Sequence, residues 1–390
     1  MNPKKLSILM VMEADGGVLT HVEGIVYFLS DTGCLIHLAY SDVRMSDRLK
    51  DLLAFIQDRG GKILNLSVGN KPQPRDLPAF IALRKMIKRV NPDIIHAHSS
   101  KAGGLARALA IIGERRPIFY TPNAYYGMTY ERNRSPYHYI ERFLGKFSVT
   151  VNVSNDEKRF AQDILNILPL HQELIFNSVN PSEFYPPSLS DRANARKALG
   201  LPLNSIVLGT IARLTWQKDP ETLYQAFAKI SYEHPSVVLL HVGYGDKSAE
   251  IEKLIAHLGI SEKVYRINYL RDALPVYHAI DAFILGSRFE GMSFAILEAM
   301  SCERPIIISD ALGNRDFARL GLSHFWNARK EDAEDFSRAI SEFLESEKLG
   351  KPNNHRNIVK TWFDSKTQHL TLLNVYHRKL KMARNPLVIL

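Results

Sequence analysis

Two cysteines in 390 residues, Cys34 and Cys302, stand far apart and lack a partner at CxxC or HxxxH spacing. That scarcity excludes a disulfide framework and a zinc module, and it fits a reducing cytosol. Long apolar runs are missing too: no stretch approaches the roughly 18 residues a membrane-spanning helix needs. The segment LSILMVM near the start is cut off by Glu13 and Asp15, too soon for a secretory leader, and reads as a buried first strand. A cytoplasmic location is expected. No GxxxxGK[ST] loop is present, which excludes a Walker-type ATPase, and no zinc finger or aromatic-basic motif points to nucleic acid. Asp-x-Asp is absent, so a divalent metal held on a diphosphate through that pair is not indicated, and no metal is expected. Internal repeats and low-complexity tracts do not occur.

What is there is an ordinary globular composition with one bias. Hydrophobic residues at 45% and charged residues at 23% lie near soluble averages, and the length favours two cores over one. The bias is a net charge of +9, which calls for anionic partners: phosphorylated ligands, an acidic membrane leaflet or nucleic acid. Composition does not choose among them.

Apolar, β-branched runs alternate with helical patterns from LSILMVM through HVEGIVYFLSDTG, CLIHLAY, RLKDLLAFIQDRG, KILNLS, PAFIALRKMIKRV and DIIHAHS to LIFNSVN. This is the rhythm of a parallel sheet with helices on both faces. It breaks at PSEFYPPSLS, residues 181–190, where three prolines and three serines suggest a linker. The rhythm then restarts with SIVLGTIARL and runs through SVVLLHVG, VYRIN, AFILGS and PIIISD. Two α/β domains of similar size are expected, 1–185 and 186–364, with the cleft between them as the natural ligand site.

The stretch SRFEGMSFAILEAM reads as a loop leaving the carboxyl end of strand AFILGS, with Ser293 as N-cap of the following helix. The amides of Gly291, Met292, Ser293 and Phe294 would then face an anion at the helix start. Glu290 would stand beside that ligand, with Glu298 about one turn into the helix. Taken alone, an E-x7-E pair is more often ordinary surface acid. Arg213 and Lys218, in TIARLTWQKDPETL, follow strand IVLGTIA and can both reach one diphosphate, although isolated loop cations are usually only solvated. Gly16 and Gly17 follow the first strand and allow close backbone approach to a ligand at a helix start; by itself a GG pair marks a turn. In IIHAHSSKAGG, His96 lies within the strand and reads as core, whereas His98 at its end is a candidate site residue.

The segments ARLTWQKD, FEGMSFAILEAMSCERPIIISD, HAHSSKAGGLAR and VNVSNDEK together resemble the retaining glycosyltransferases of family 4, over nearly the whole chain. The resemblance implies a GT-B fold, two Rossmann-like domains facing across a cleft, with the last helix, 365–384, crossing back to the first. It implies sugar transfer from a nucleotide diphosphate sugar as co-substrate, with UDP favoured over GDP, without metal or other cofactor and with retained anomeric configuration. Arg213 and Lys218 would hold the diphosphate, Glu290 the donor sugar and Glu298 the ribose. Amides near Met292, Ser293 and Phe294 would bind phosphate, and Gly16 and Gly17 would line the first-domain side. One departure is Asn123: many relatives have histidine after the strand corresponding to PIFYTPN, and an amide can bond a hydroxyl but cannot exchange a proton near neutral pH. Tyr125 and Tyr126 fit either the acceptor side or packed core.

The acceptor implied is a glycan or lipid-linked glycan of polysaccharide biosynthesis. Helix PAFIALRKMIKRV carries Arg84, Lys85, Lys88 and Arg89, which suit peripheral contact with an anionic membrane or merely a solvated face. Two further readings stay open: a GT-B nucleotide-sugar epimerase, and a noncatalytic nucleotide-sugar-binding subunit. Retention of Arg213, Lys218, Glu290 and Glu298 argues against the second, and the motif order argues against the first.

Overall fold

The computed structural model describes residues 5–13, 15–43, 45–69, 73–74, 76–129, 136–346 and 351–384. The chain forms two compact domains, Met1–Asn177 with Ser365–Leu390, and Ser178–Asp364.

In the first domain seven strands form one parallel sheet: β1 (Ser7–Met12), β2 (Leu35–Tyr40), β3 (Ile63–Asn65), β4 (Ile94–His98), β5 (Ile118–Thr121), β6 (Val149–Asn152) and β7 (Gln172–Leu174). Their order is β3-β2-β1-β4-β5-β6-β7, so the direction of winding reverses between β1 and β4. Every residue of β1 and β4 is buried, as strands covered by helices on both faces must be; β1 is apolar apart from Ser7, whereas β4 carries His96 and His98 among its apolar residues. One face packs Ile8, Met10 and Met12 against Val22 and Ile25 of the helix Gly17–Asp31; the other packs Leu9 and Val11 with Leu83, Ala102 and Ala106. The helix Ser365–Arg384 belongs to this domain, where Leu372, Val375, Tyr376 and Leu380 complete the first of those cores. Tyr376 also meets His96 across β4, hydroxyl to Nδ1 at 2.5 Å, and Thr121 meets the other ring nitrogen at 2.8 Å. His96 is thus a satisfied core histidine.

The second domain has six parallel strands, β8 (Ile206–Ile211), β9 (Val237–Val242), β10 (Val264–Ile267), β11 (Ala282–Leu285), β12 (Ile306–Ser309) and β13 (Phe325–Ala328). Their order is β10-β9-β8-β11-β12-β13, with the reversal between β8 and β11. Open α/β sheets place ligands outside the carboxyl ends of the strands at such a reversal. The segment 181–190 lies inside this domain, since the chain leaves the first one after Asn177. It is not a loose tether: Arg356 donates to the carbonyls of Pro181 and Phe184, and Ser301 donates to Phe184 as well. Prolines stop the strand rhythm there, but side-chain hydrogen bonds fix the backbone.

The helix Asp76–Val90 covers the first sheet with Ala79, Leu83, Met86 and Ile87. Its outer face exposes Leu77 and Ile81 together with Arg84, Lys85, Lys88 and Arg89.

Candidate functional site

In the second domain the loops leaving β8 and β11 run side by side. The first contains a single turn, Trp216–Lys218, and then Asp219 in the left-handed region at φ 46°, which turns the chain into the helix Pro220–Glu233. The second loop is laced to it. Arg288 N–H donates to the Gln217 carbonyl at 2.8 Å, and the Gln217 amide donates to the Phe289 carbonyl at 3.1 Å. The Arg288 guanidinium donates to the Trp216 carbonyl at 2.5 Å and pairs with the fully buried Asp219 at 2.9 Å.

This lacing brings Lys218 and Glu290 together. Lys218 Nζ lies 2.5 Å from Glu290 Oε1, and Ser287 Oγ donates to the same oxygen at 2.6 Å. The Glu290 side chain is 7% exposed, so its charge is balanced by these partners rather than by bulk water. Glu290 N–H is tied to the Leu312 carbonyl at 2.8 Å, and behind it Gly313 sits at φ 87°. A Cβ at residue 313 would come within 2.3 Å of the Glu290 carbonyl oxygen, so only glycine fits against this backbone.

The loop then enters the helix Phe294–Ser301. Gly291, Met292 and Ser293 are buried and Phe294 is half-buried. Ser293 occupies the N-cap position expected of it, yet its hydroxyl makes no capping hydrogen bond. Its ψ of 121° is extended, but the side chain is not turned onto the first-turn amides. Glu298 is half-buried one turn on, and its Oε2 accepts the Tyr277 hydroxyl at 2.6 Å. Arg213 is exposed two residues beyond β8, its carbonyl accepting from Thr215 N–H at 2.9 Å. The structure therefore gathers Arg213, Lys218, Glu290, Glu298 and the 291–294 backbone around one strand-order reversal.

The first domain places its candidates around the other reversal. Gly16 follows β1 at φ 70°, ψ −128°, a conformation open to glycine, and Gly17 begins the next helix; both are exposed. His98 ends β4, fully buried, with neither ring nitrogen hydrogen bonded. Its ring lies 4.1 Å from His96 and 5.3 Å from His21, and burial holds its pKa well below the usual histidine range. It is a neutral imidazole.

The helix start after β4 is already occupied by the protein itself. Glu13 accepts the Ser99 hydroxyl and the N–H groups of Lys101 and Ala102, at 3.3 and 3.1 Å for the amides. Burial raises the Glu13 pKa against these bonds. Lys101 is paired with Asp76 at 2.5 Å. Asn123, two residues past β5, stands at φ 52° with both amide atoms buried and unbonded. Ala124 follows at φ 79°, and its N–H donates to Glu157 at 2.8 Å. Tyr125 is core, whereas Tyr126 is 56% exposed and lies against Tyr137 at 4.9 Å between ring centres.

Sequence reasoning missed Glu13, Glu157, Ser287 and Arg288. For Glu157 a signal was present: Ser154-x-x-Glu157 has the spacing of a capping box. Ser287 and Arg288 stand in the same SRFEG stretch as Glu290, but nothing local tells which loop Arg288 will reach.

Two doubly wound parallel domains, each with polar side chains gathered at the carboxyl ends of its central strands, give the GT-B fold. Solved glycosyltransferase folds match it throughout. Anabaena Alr3699/HepE in complex with UDP-glucose gives a TM-score of 0.80 at 19% identity, covering 96% of this chain and 100% of that one. Sucrose-phosphate synthase from Thermosynechococcus elongatus gives 0.79 at 19%, covering 97% and 100%. The model of glycosyl transferases group 1 matches residues 191–361, and that of Glycosyltransferase Family 4 matches residues 15–183. The chain belongs to the family 4 type of GT-B glycosyltransferases.

Among relatives, the UDP-Gal:alpha-D-GlcNAc-diphosphoundecaprenol alpha-1,3-galactosyltransferase of Escherichia coli is 29% identical over 62% of this chain and 63% of its own length. The match thus spans a little under two thirds of that enzyme. The N,N'-diacetylbacillosaminyl-diphospho-undecaprenol alpha-1,3-N-acetylgalactosaminyltransferase of Campylobacter jejuni is 29% identical over 70% of this chain and 73% of its own.

Proposed function

We propose that the protein is a retaining, metal-independent transferase acting in polysaccharide or lipid-linked glycan biosynthesis. It moves a hexose or N-acetylhexosamine from a nucleotide diphosphate sugar, UDP in preference to GDP, to a glycan or lipid-linked glycan. The observation that carries this reading is the Lys218–Glu290 pair, locked by Ser287 and Arg288 at the β8/β11 reversal. Arg213 and Lys218 supply positive charge for a diphosphate, the 291–294 amides add dipoles, Glu290 accepts from donor-sugar hydroxyls and Glu298 from the ribose. Asn123 offers its amide to a sugar hydroxyl. In the transfer, the acceptor oxygen bonds the anomeric carbon on the face the diphosphate leaves, and the acceptor proton passes to the leaving phosphate oxygen. No protein carboxylate becomes a covalent nucleophile, unlike the paired acids of glycosidases. The names of the two bacterial relatives support the acceptor class, and the E. coli name supports UDP.

Melting a panel of donor mixtures tests this. A nucleotide sugar bound only to folded protein adds about 2.7 kcal/mol at a hundredfold excess over Kd, roughly 5–10 °C for a domain of this size. UDP-sugars are expected to give the largest shift, and Arg213→Ala is expected to remove most of it, measured against that variant's own unliganded Tm. If no nucleotide sugar moves the Tm, the reading fails. Turnover of donor alone into an epimer would replace transfer by isomerisation.

The reading includes contact with an anionic leaflet through the helix Asp76–Val90. Two exposed apolar side chains, Leu77 and Ile81, beside four exposed cations support it. Flotation with anionic liposomes at low salt is expected for the wild type and lost on charge reversal at Lys85 and Lys88. Wild-type protein that stays at the bottom of the gradient would refute the contact.

A further inference from the structure

We propose that Glu157 is a positioning residue for transfer, fastening the Asn123–Ala124 turn at the carboxyl end of β5; this rests on the role given to Asn123 above. Ser154 is the N-cap of the helix Asn155–Arg159 and accepts from Glu157 N–H at 3.0 Å. In a capping box the acid three residues on turns back to the N-cap N–H. Glu157 does something else. Its Oε2 takes the N–H of Val153, one residue earlier, at 2.6 Å, and its Oε1 leaves the helix for the N–H of Ala124 at 2.8 Å. A helix cap has become a staple between the loops after β5 and β6. Glu157 is wholly buried, so both bonds are sheltered from water.

The turn it holds is costly. Asn123 at φ 52° and Ala124 at φ 79° are consecutive left-handed residues; asparagine tolerates this, but the alanine Cβ crowds the following carbonyl. The turn presents an amide whose nitrogen and oxygen are both buried and unbonded. A strained backbone, an internal group spent on holding it, and an unpaired polar side chain at its tip together mark a ligand contact kept in place. Glu157 itself need not touch substrate.

The test compares Glu157→Asp and Glu157→Gln, each alone and combined with Ala124→Gly, in steady-state transfer assays. Aspartate is one methylene short of Ala124 but still acidic near the helix start. Its kcat is expected to fall about 10–100-fold, the scale of an ångström-sized misplacement, with donor KM within about twofold because Arg213, Glu290 and Glu298 lie in the other domain. Glycine at 124 adopts the left-handed turn without a Cβ, so it is expected to restore most of the lost kcat. Wild-type kcat in Glu157→Asp would overturn the proposal, as would a loss that Ala124→Gly leaves untouched. Amide hydrogen exchange at Ala124 in the wild type needs no variant: protection comparable to β5 is expected, and fast exchange would overturn the staple. Wild-type protein that transfers no sugar would defeat the proposed function instead, and full kcat in Asn123→Ala would overturn the positioning role of Glu157 together with the role of that amide.

Discussion

Glu290→Ala is expected to lose about 10²–10³-fold in kcat, the usual cost of deleting one preorganised group at a transferring centre, roughly 3–4 kcal/mol. The carboxylate is fixed by Lys218 and Ser287 on Oε1, and the backbone that carries it is fixed by the Glu290 N–H donating to the Leu312 carbonyl. Such a group meets a donor hydroxyl without first being ordered, which is where its catalytic value lies. Its removal also leaves Lys218, 17% exposed, without a counter-charge, so Tm must be read beside kcat. Glu290→Gln separates the two effects. It keeps the side chain's length and an oxygen for Ser287 but ends the ion pair, and it is expected to fold with intermediate activity. Full transfer by Glu290→Ala and Arg213→Ala alike would sink the assignment of the second-domain site.

Acidification from pH 7.5 to pH 5 is expected to lower the melting temperature of the second domain by about 8–16 °C. His241 and His355 are 2% and 0% exposed, and burial pushes the pKa of each from 6.5 down to about 4. Burial is what resists protonation at His241, against the Ala212 carbonyl, which favours the charged ring; hydrogen bonding fixes the tautomer. Nε2 faces the Ala212 carbonyl at 2.9 Å, which can only accept, so the proton is on Nε2; Nδ1 must then accept from the Tyr224 hydroxyl, also at 2.9 Å. The unfolded chain binds protons at pH 6.5 and the folded chain only near pH 4, so stability is full above the first value and is lost as pH falls toward the second. At pH 5 each histidine costs about 2 kcal/mol, together a large fraction of a typical domain's 5–15 kcal/mol. In the second domain Asp219, whose pKa burial raises, works against the two histidines, and in the first domain too the sign is mixed. His96 and His98 act in the same sense, but burial raises Glu157 to about 7 and raises Glu13, and carboxyls that hold protons longer when folded gain stability as pH falls. Differential scanning calorimetry at a series of pH values measures this directly. His241→Gln, still able to donate to Ala212, is expected to remove about half of the second domain's slope. A Tm that is flat from pH 7.5 to 5, or a slope unchanged in that variant, would refute the account.

The alternation of strands and helices was legible because strands covered on both faces are mostly apolar, as in LSILMVM and SVVLLHV. Lys218 and Glu290 could be singled out because each follows such a run. What joins them was not legible. Arg288 reaches Trp216 and Asp219 only because β8 lies next to β11, and that adjacency is a property of strand order, which no local pattern encodes. The same reason hid Glu13, whose carboxylate closes the helix start after β4, and the second half of the Glu157 staple, which crosses from β6 to β5. At 181–190 the prolines and serines marked irregular backbone correctly, but the change of domain had come at Asn177, where composition does not change.

The helix Ser365–Arg384 has a consequence for how the chain comes off the ribosome. The second domain is an insertion: everything between Ser178 and Asp364 is made, and can close its own sheet, before the first domain receives Leu372, Val375, Tyr376 and Leu380. Until then Val22, Ile25 and their neighbours have an uncovered face, and His96 lacks the Tyr376 hydroxyl. The half of the enzyme synthesised first is therefore the half that matures last. Chains that stop short of residue 365 pair a finished second domain with an open apolar surface of the kind chaperones and proteases recognise.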